Sequence, residues 1–326
     1  MNSLDSQAST RGVLAALTCY IAWGIFPLYW RLLAEVDATE LIAHRLFWTM
    51  LFTVPLLWWR NGFAAVYEVF SSGRALRLYA LSGVLLTLNW LVFVWAINNG
   101  HVIETSLGYF LVPLVNIALG WSVLHERLRK AQWVAIAFAA AGVGWQLILL
   151  GRLPWIALAL AITFGTYGLL RKQSPLGSLA GLTVETLLLA PLAGAFLLWR
   201  AVTETGALGS APTGTQLIVL TTGVVTALPL LLFAYGARRL KLSTLGLLQY
   251  AAPTVQFALG VWYYHEGFSL ARAQSFSLIW IGLIIYTTDA LWTQSRGNHM
   301  GATANNCIVK TKVASGGILG DDPRVP

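Results

Sequence analysis

"PLVNIALGWSVLHE", residues 113–126, and "PTVQFALGVWYYHE", residues 253–266, are two versions of one pattern. Each opens on Pro, carries Ala-Leu-Gly in the middle of an apolar run and closes on His-Glu, and the two lie 140 residues apart. The correspondence extends outward from there. "LLWWR", ending at Arg60, meets "FLLWR", ending at Arg200, and at an offset of 141 Trp23-Gly24 falls on Phe164-Gly165. The chain therefore divides into two related units, 11–150 and 151–293, preceded by a short tail at 1–10 and followed by another at 294–326.

The composition says where such a chain resides. With 57% hydrophobic and 10% charged residues and a mean hydropathy of +0.68, it lacks the polar surface of a soluble globule, about a quarter of whose residues are charged. Its apolar runs approach the roughly 20 residues that a helix needs to cross a hydrocarbon core about 30 Å thick. They are continuous rather than alternating, which favours helices over a closed barrel. Ten spans are predicted, near 13–33, 41–59, 76–98, 102–124, 131–150, 153–170, 179–199, 216–236, 243–264 and 272–292. The expected fold is an all-α polytopic membrane protein of two five-helix repeats. Because five is odd, the second repeat enters the membrane inverted, a pattern of secondary transporters that open alternately to each side. Duplication kept for packing alone also accounts for the repeat. In each copy the Pro lies well inside its span, where it tends to kink the helix, so the pair reads as two opposed gates or as a packing feature.

The net charge of +8 and pI of 9.7 do not mark a nucleic-acid binder, because the basic residues stand in short groups between the apolar runs. With the N-terminus inside, one face receives Arg11, Arg60, Arg74, Arg77, Arg127, Arg129, Lys130, Arg171, Lys172, Arg238, Arg239, Lys241 and Arg296. The other receives Arg31, Arg45, Arg152, Arg200 and Arg272, an asymmetry that predicts cytoplasmic termini. Two cysteines, Cys19 and Cys307, imply no disulfide framework, and the first run, lacking a basic leader, reads as an uncleaved span. The polar tail 294–326 is expected to be disordered, and His299 and Cys307 give no metal site. No phosphate-binding Gly-rich loop, His-Glu-x-x-His or Gly-x-Ser-x-Gly occurs, so neither an ATP-driven pump nor a hydrolase is indicated, and no cofactor or metal is expected.

Charged groups within a span are costly and become functional candidates. Glu185 in "LTVETLLLAP" lies about six residues, roughly 9 Å, into the seventh span, and is a candidate for proton coupling or contact with a cation. Arg45 in "IAHRLFW" lies near the outer end of the second span and is a candidate for an anionic substrate group. The two occupy equivalent repeat positions, yet helix rise separates them by roughly 15 Å in depth, so they need not pair. The alternatives are a helix-start carboxylate for Glu185 and a snorkelling interfacial residue for Arg45. Asn89, Trp90, Tyr109, Asn116 and Gln249 are further candidates to line a moderately polar cavity, with interhelical hydrogen bonds and interfacial aromatic belts as alternative roles. Asp289, His125, His265, Glu126 and Glu266 read as boundary residues.

"IAWGIFPLYW", "AHRLFW", "NWLVFVWAINN", "ETSLGYFLVPLVNIALG", "HERLRKAQW", "FGTYGLLRK", "VETLLLAP", "LSTLGLLQYAAPT" and "TDALWTQ", in this order, resemble the RarD proteins of the EamA group in the drug/metabolite transporter superfamily. The resemblance covers roughly 11–293 and implies a bacterial cytoplasmic-membrane permease of ten spans in two EamA repeats, with both termini inside. It also implies a chloramphenicol-sensitivity label without a defined substrate. His125 stands where the family pattern has a small residue, and the tail lies beyond the resemblance. The reading that emerges is an alternating-access secondary transporter, moving small metabolites or amphipathic drug-like compounds outward, as monomer or homodimer. A membrane receptor or regulatory subunit that transports nothing is the alternative, and a passive channel a third.

Overall fold

A computed structural model describes residues 3–99, 101–151, 153–263, 270, 273–289 and 292. The tail 294–326, with His299 and Cys307, and the second His-Glu pair, His265-Glu266, lie outside the described residues. Among those described there are helices and connecting turns and no strand. The helices are α1 (Ser3–Arg31), α2 (Ala38–Trp59), α3 (Phe63–Ser71), α4 (Gly73–Asn98), α5 (Val102–Ser122), α6 (Lys130–Leu150) and α7 (Trp155–Gln173). There follow α8 (Ser178–Val202), the single turn α9 (Ala207–Ser210), α10 (Thr213–Arg239), α11 (Leu242–Gln249), α12 (Ala251–Trp262) and a last helix, α13, over 273–289.

Among the described residues seven helices, α1, α2, α4, α5, α6, α8 and α10, are long and apolar enough to cross a membrane. The protein is polytopic. Large apolar side chains such as Trp58, Trp59, Ile148, Leu192, Leu198 and Val202 are exposed outward, as a lipid-facing surface requires. α7 is shorter and carries Arg171 and Lys172 in its last turn. The run expected as one span over 243–264 is divided at Tyr250 into α11 and α12. The cause is Pro253, which cannot donate to the carbonyl of Gln249 and whose ring crowds it. Its counterpart Pro113 sits inside an unbroken α5.

Side chains define several of the helix ends. Asp37 caps α2 by accepting from the Glu40 amide at 3.0 Å, and Ser72 does the same for α4 through Ala75. Gly151 closes α6 in the left-handed conformation, φ 67°.

The bundle is built by pairing helices from the two halves of the chain. α1 packs on α10 and α12, α2 on α8 and α10, α4 on α7, and α5 on α7 and α11. At the centre Tyr20, Phe164, Tyr167 and Phe233 form an aromatic stack, with Tyr167 and Phe233 parallel at 5.8 Å, over buried Leu242 and Leu245. This core joins α1, α7, α10 and α11, and its wall against α2, α4 and α8 leaves a small cavity.

Candidate functional site

Arg45 lies two turns inside α2, on the face turned towards α4 and α10. Its guanidinium is stacked on the ring of Trp90 at 3.9 Å and lies over that of Trp30 at 4.7 Å. Nε donates to the Thr226 hydroxyl at 3.1 Å. Among the described residues no carboxylate lies within ion-pairing distance of it. Two indole faces compensate part of the cost of a cation inside the bundle. Tyr29 and Tyr109 stand within electrostatic reach of the same charge.

Glu185 is 2% exposed on α8. Its Oε1 accepts a short hydrogen bond of 2.5 Å from Ser82 of α4 and lies 3.4 Å from Arg171 of α7. Arg171, counted with the loop charges in the sequence, is in fact wholly buried. It reaches back from the last turn of α7, donates to the Ser178 carbonyl at 3.1 Å and passes so closely over Gly181 that a Cβ there would collide with Nη1. The Tyr167 hydroxyl is a further polar neighbour of the same carboxylate.

Arg45 and Glu185 face one cavity, together with Thr49, Trp90 and Thr186 and a wall of leucines. The space is about 10 Å³, near the minimum for one water centre. The two charges share this cavity without pairing, each held by its own partners. Of the other sequence candidates, Trp90 lines the cavity, and Tyr109 stands near Arg45 with its ring 5.6 Å from Phe93. Asn89 instead ties α4 to α7, donating at 2.9 Å to both the Leu160 carbonyl and the Thr163 hydroxyl. Asn116 donates to Gln249 at 3.0 Å, tying α5 to α11. These three amides make interhelical hydrogen bonds.

Sequence reasoning passed over Ser82, Arg171, Trp30 and Thr226. A serine and a threonine in apolar runs, a tryptophan near a span end and an arginine in a basic pair carry no local signal of a shared site. Asp289, read as a boundary residue, is paired with Arg129 at 2.6 Å.

Comparison with known proteins gives this arrangement a lineage. Residues 10–147 match the EamA-like transporter family. Protein RarD of Salmonella typhimurium is 43% identical over 293 residues, which cover 90% of this chain and all of that one. The chain belongs to the RarD family of EamA-like transporters. An uncharacterized transporter of Vibrio cholerae is 42% identical over 287 residues, covering 88% of this chain and 95% of its own. A crystal structure superposes with a TM-score of 0.61 over 85% of this RarD-family chain and 97% of that chain, and at 20% identity it shows the shared fold alone. This is a multi-pass protein of the bacterial inner membrane, and the charged cavity lies inside a transporter bundle.

Proposed function

We propose that this chain is an alternating-access secondary transporter that moves small metabolites or amphipathic drug-like compounds outward, with proton coupling at Glu185. The observation that carries the reading is the shared cavity, lined both by Arg45, which lies over the Trp90 ring, and by the buried Glu185. Because Ser82 donates to Oε1, the carboxylate can take a proton on Oε2 without breaking that bond. Protonation would remove the charge opposing Arg171, and so alter how α7, α4 and α8 are held together. Arg45, whose Nε is taken by Thr226, has its Nη donors left to offer to an anionic group of the substrate.

Alternating access further requires two halves that can exchange roles. Three glycine pairs support ten spans arranged as inverted repeats at 11–150 and 151–293. A Cβ on Gly83 would meet Leu189 and the Glu185 backbone in α8, and one on Gly223 would meet Trp48 in α2, the equivalent helix of the other half. Gly142 is closed by Ser275 and Leu278, and Gly282 by Ala135 and Phe138, the same contacts with the halves exchanged. Gly24 is closed by Val255 and Gly165 by Val115. Reciprocal contacts at an offset of 140 or 141 are what a pseudo-two-fold axis produces. Cytoplasmic termini follow from the loop charges.

The test is uptake of labelled amino acids and amphipathic antibiotics into proteoliposomes, with and without an imposed pH gradient, for the natural chain and Glu185→Gln. Saturable, gradient-driven uptake lost in the variant is expected. Gradient-driven uptake surviving in Glu185→Gln would remove Glu185 from the coupling path. Flux without saturation would indicate a channel, and no uptake of any compound would favour a receptor or regulatory subunit.

A further inference from the structure

Two carboxylates outside the cavity, Glu126 and Glu40, are built into the bundle in the same way at opposite ends. Glu126 follows α5 in the first half of the chain. Its Oε1 accepts from the Leu242 amide at 2.6 Å, and its Oε2 from the Ser243 amide at 3.0 Å and the Ser243 hydroxyl at 2.6 Å. It therefore caps α11 in the second half, whose first amides lack partners of their own. Lys172 of α7 stands 4.0 Å away and also donates to the Ala237 and Leu240 carbonyls at the end of α10.

The turn that delivers this carboxylate is specialised. His125 takes φ 52°, the Glu126 amide returns to the Gly120 carbonyl at 2.9 Å, and a Cβ on residue 120 would sit 2.8 Å from Glu126 Oε2. Only glycine at 120 leaves the carboxylate its place.

Glu40, in the first turn of α2, repeats the construction from the first half to the second. Oε1 accepts from the Ala207 amide at 2.6 Å, Oε2 pairs with Arg200 at 2.9 Å, and His44 lies 3.4 Å away. Both carboxylates are nearly buried, at 2% side-chain exposure for Glu40 and 7% for Glu126. α10 begins just after the Glu40 site and ends beside the Glu126 site, and its 27 residues place the two roughly 40 Å apart. One lies at the face rich in Arg and Lys, the other at the opposite face.

We infer that Glu126 and Glu40 are the latches of the two gates: each ties the first half to at least one backbone amide and a cation of the second, and the molecule opens to a face by releasing the latch there. With both closed, the cavity between them is reduced to the space of one water, as in an occluded state. The inference rests on the alternating-access reading, but it concerns conformation and can be tested without transport.

The test uses Thr49→Cys, a near-isosteric change on the cavity wall, in a chain carrying Cys19→Ser and Cys307→Ser. A membrane-impermeant thiol reagent is applied to right-side-out and inverted vesicles. Glu126→Gln is expected to raise the labelling rate about tenfold from the Lys/Arg-rich face only, a factor that corresponds to about 1.4 kcal/mol. Glu40→Gln is expected to do so from the opposite face only. Equal rates in all variants, or a rise from both faces in either one, would overturn the proposal. A paired variant, Glu126→Cys with Ser243→Cys, guards against misfolding. Its oxidation should abolish labelling at position 49 from the Lys/Arg-rich face and reduction should restore it, while unchanged labelling after complete cross-linking would count against the latch. Side-specific labelling changes without any solute uptake would leave the latches standing and remove the transporter reading instead.

Discussion

Arg171 and Glu185 show what one buried pair demands. Taking both charges out of water is expensive, and removing only one partner leaves the other uncompensated, at a cost of about 3–5 kcal/mol. Arg171→Met should therefore lower the thermal midpoint of the detergent-purified protein markedly. Adding Glu185→Gln to Arg171→Met should recover most of that loss. A double variant no more stable than Arg171→Met would show that the two side chains are not coupled. Arg45 makes a different demand, for shape as much as charge. A lysine keeps the cation but cannot stack between Trp30 and Trp90 or present an in-plane fork. Arg45→Lys is thus expected to raise the KM for an anionic substrate about tenfold, in line with a loss of about 1–2 kcal/mol of cation–π and bidentate contact. An unchanged KM would reduce Arg45 to a point charge. Glu185 was visible in the sequence because a carboxylate stands out in an apolar run. Its counter-ion was not, since Arg171 sits beside Lys172 in what reads as an ordinary basic loop, and only the fold turns one inward and leaves the other half-buried.

Among the elements, α2 and α10 approach until backbone meets backbone. A Cβ on Gly223 would fall on the Trp48 main-chain carbonyl, and Thr49 donates to the Gly223 carbonyl at 3.2 Å. The obstacle is main chain and cannot rotate away. Gly223→Ala should cost about 1–3 kcal/mol by overpacking, measured as thermal midpoint, and should loosen the cavity wall that Thr49 forms. Gly144→Ala on α6 is the control, since nothing lies within 4 Å of its added Cβ, and no loss is expected there. A small residue in an apolar run signals close packing without naming the partner, so the sequence marks these glycines without distinguishing Gly223 from Gly144. The division at Tyr250 was partly legible. Pro253 announces a disturbance, but its counterpart Pro113 lies in a continuous helix, so the residue alone does not decide between a break and a bend.

For the whole molecule, the repeat and the loop charges make a topological prediction. With ten spans, a green fluorescent protein fused after residue 293 should fluoresce, and alkaline phosphatase at the same place should be inactive. Phosphatase activity there would require an odd number of crossings or a reversed orientation. The membrane class and the helical fold were determined by the sequence itself. They depend on local hydrophobicity and on a lipid phase that compels the backbone to satisfy its own hydrogen bonds within each helix. Which charges meet was decided only by the tertiary structure. Ser82 and Glu185 lie 103 residues apart, Glu126 and Ser243 117, and Glu40 and Arg200 160. Their pairing depends on how helices from the two halves interleave, and no local pattern of residues encodes that.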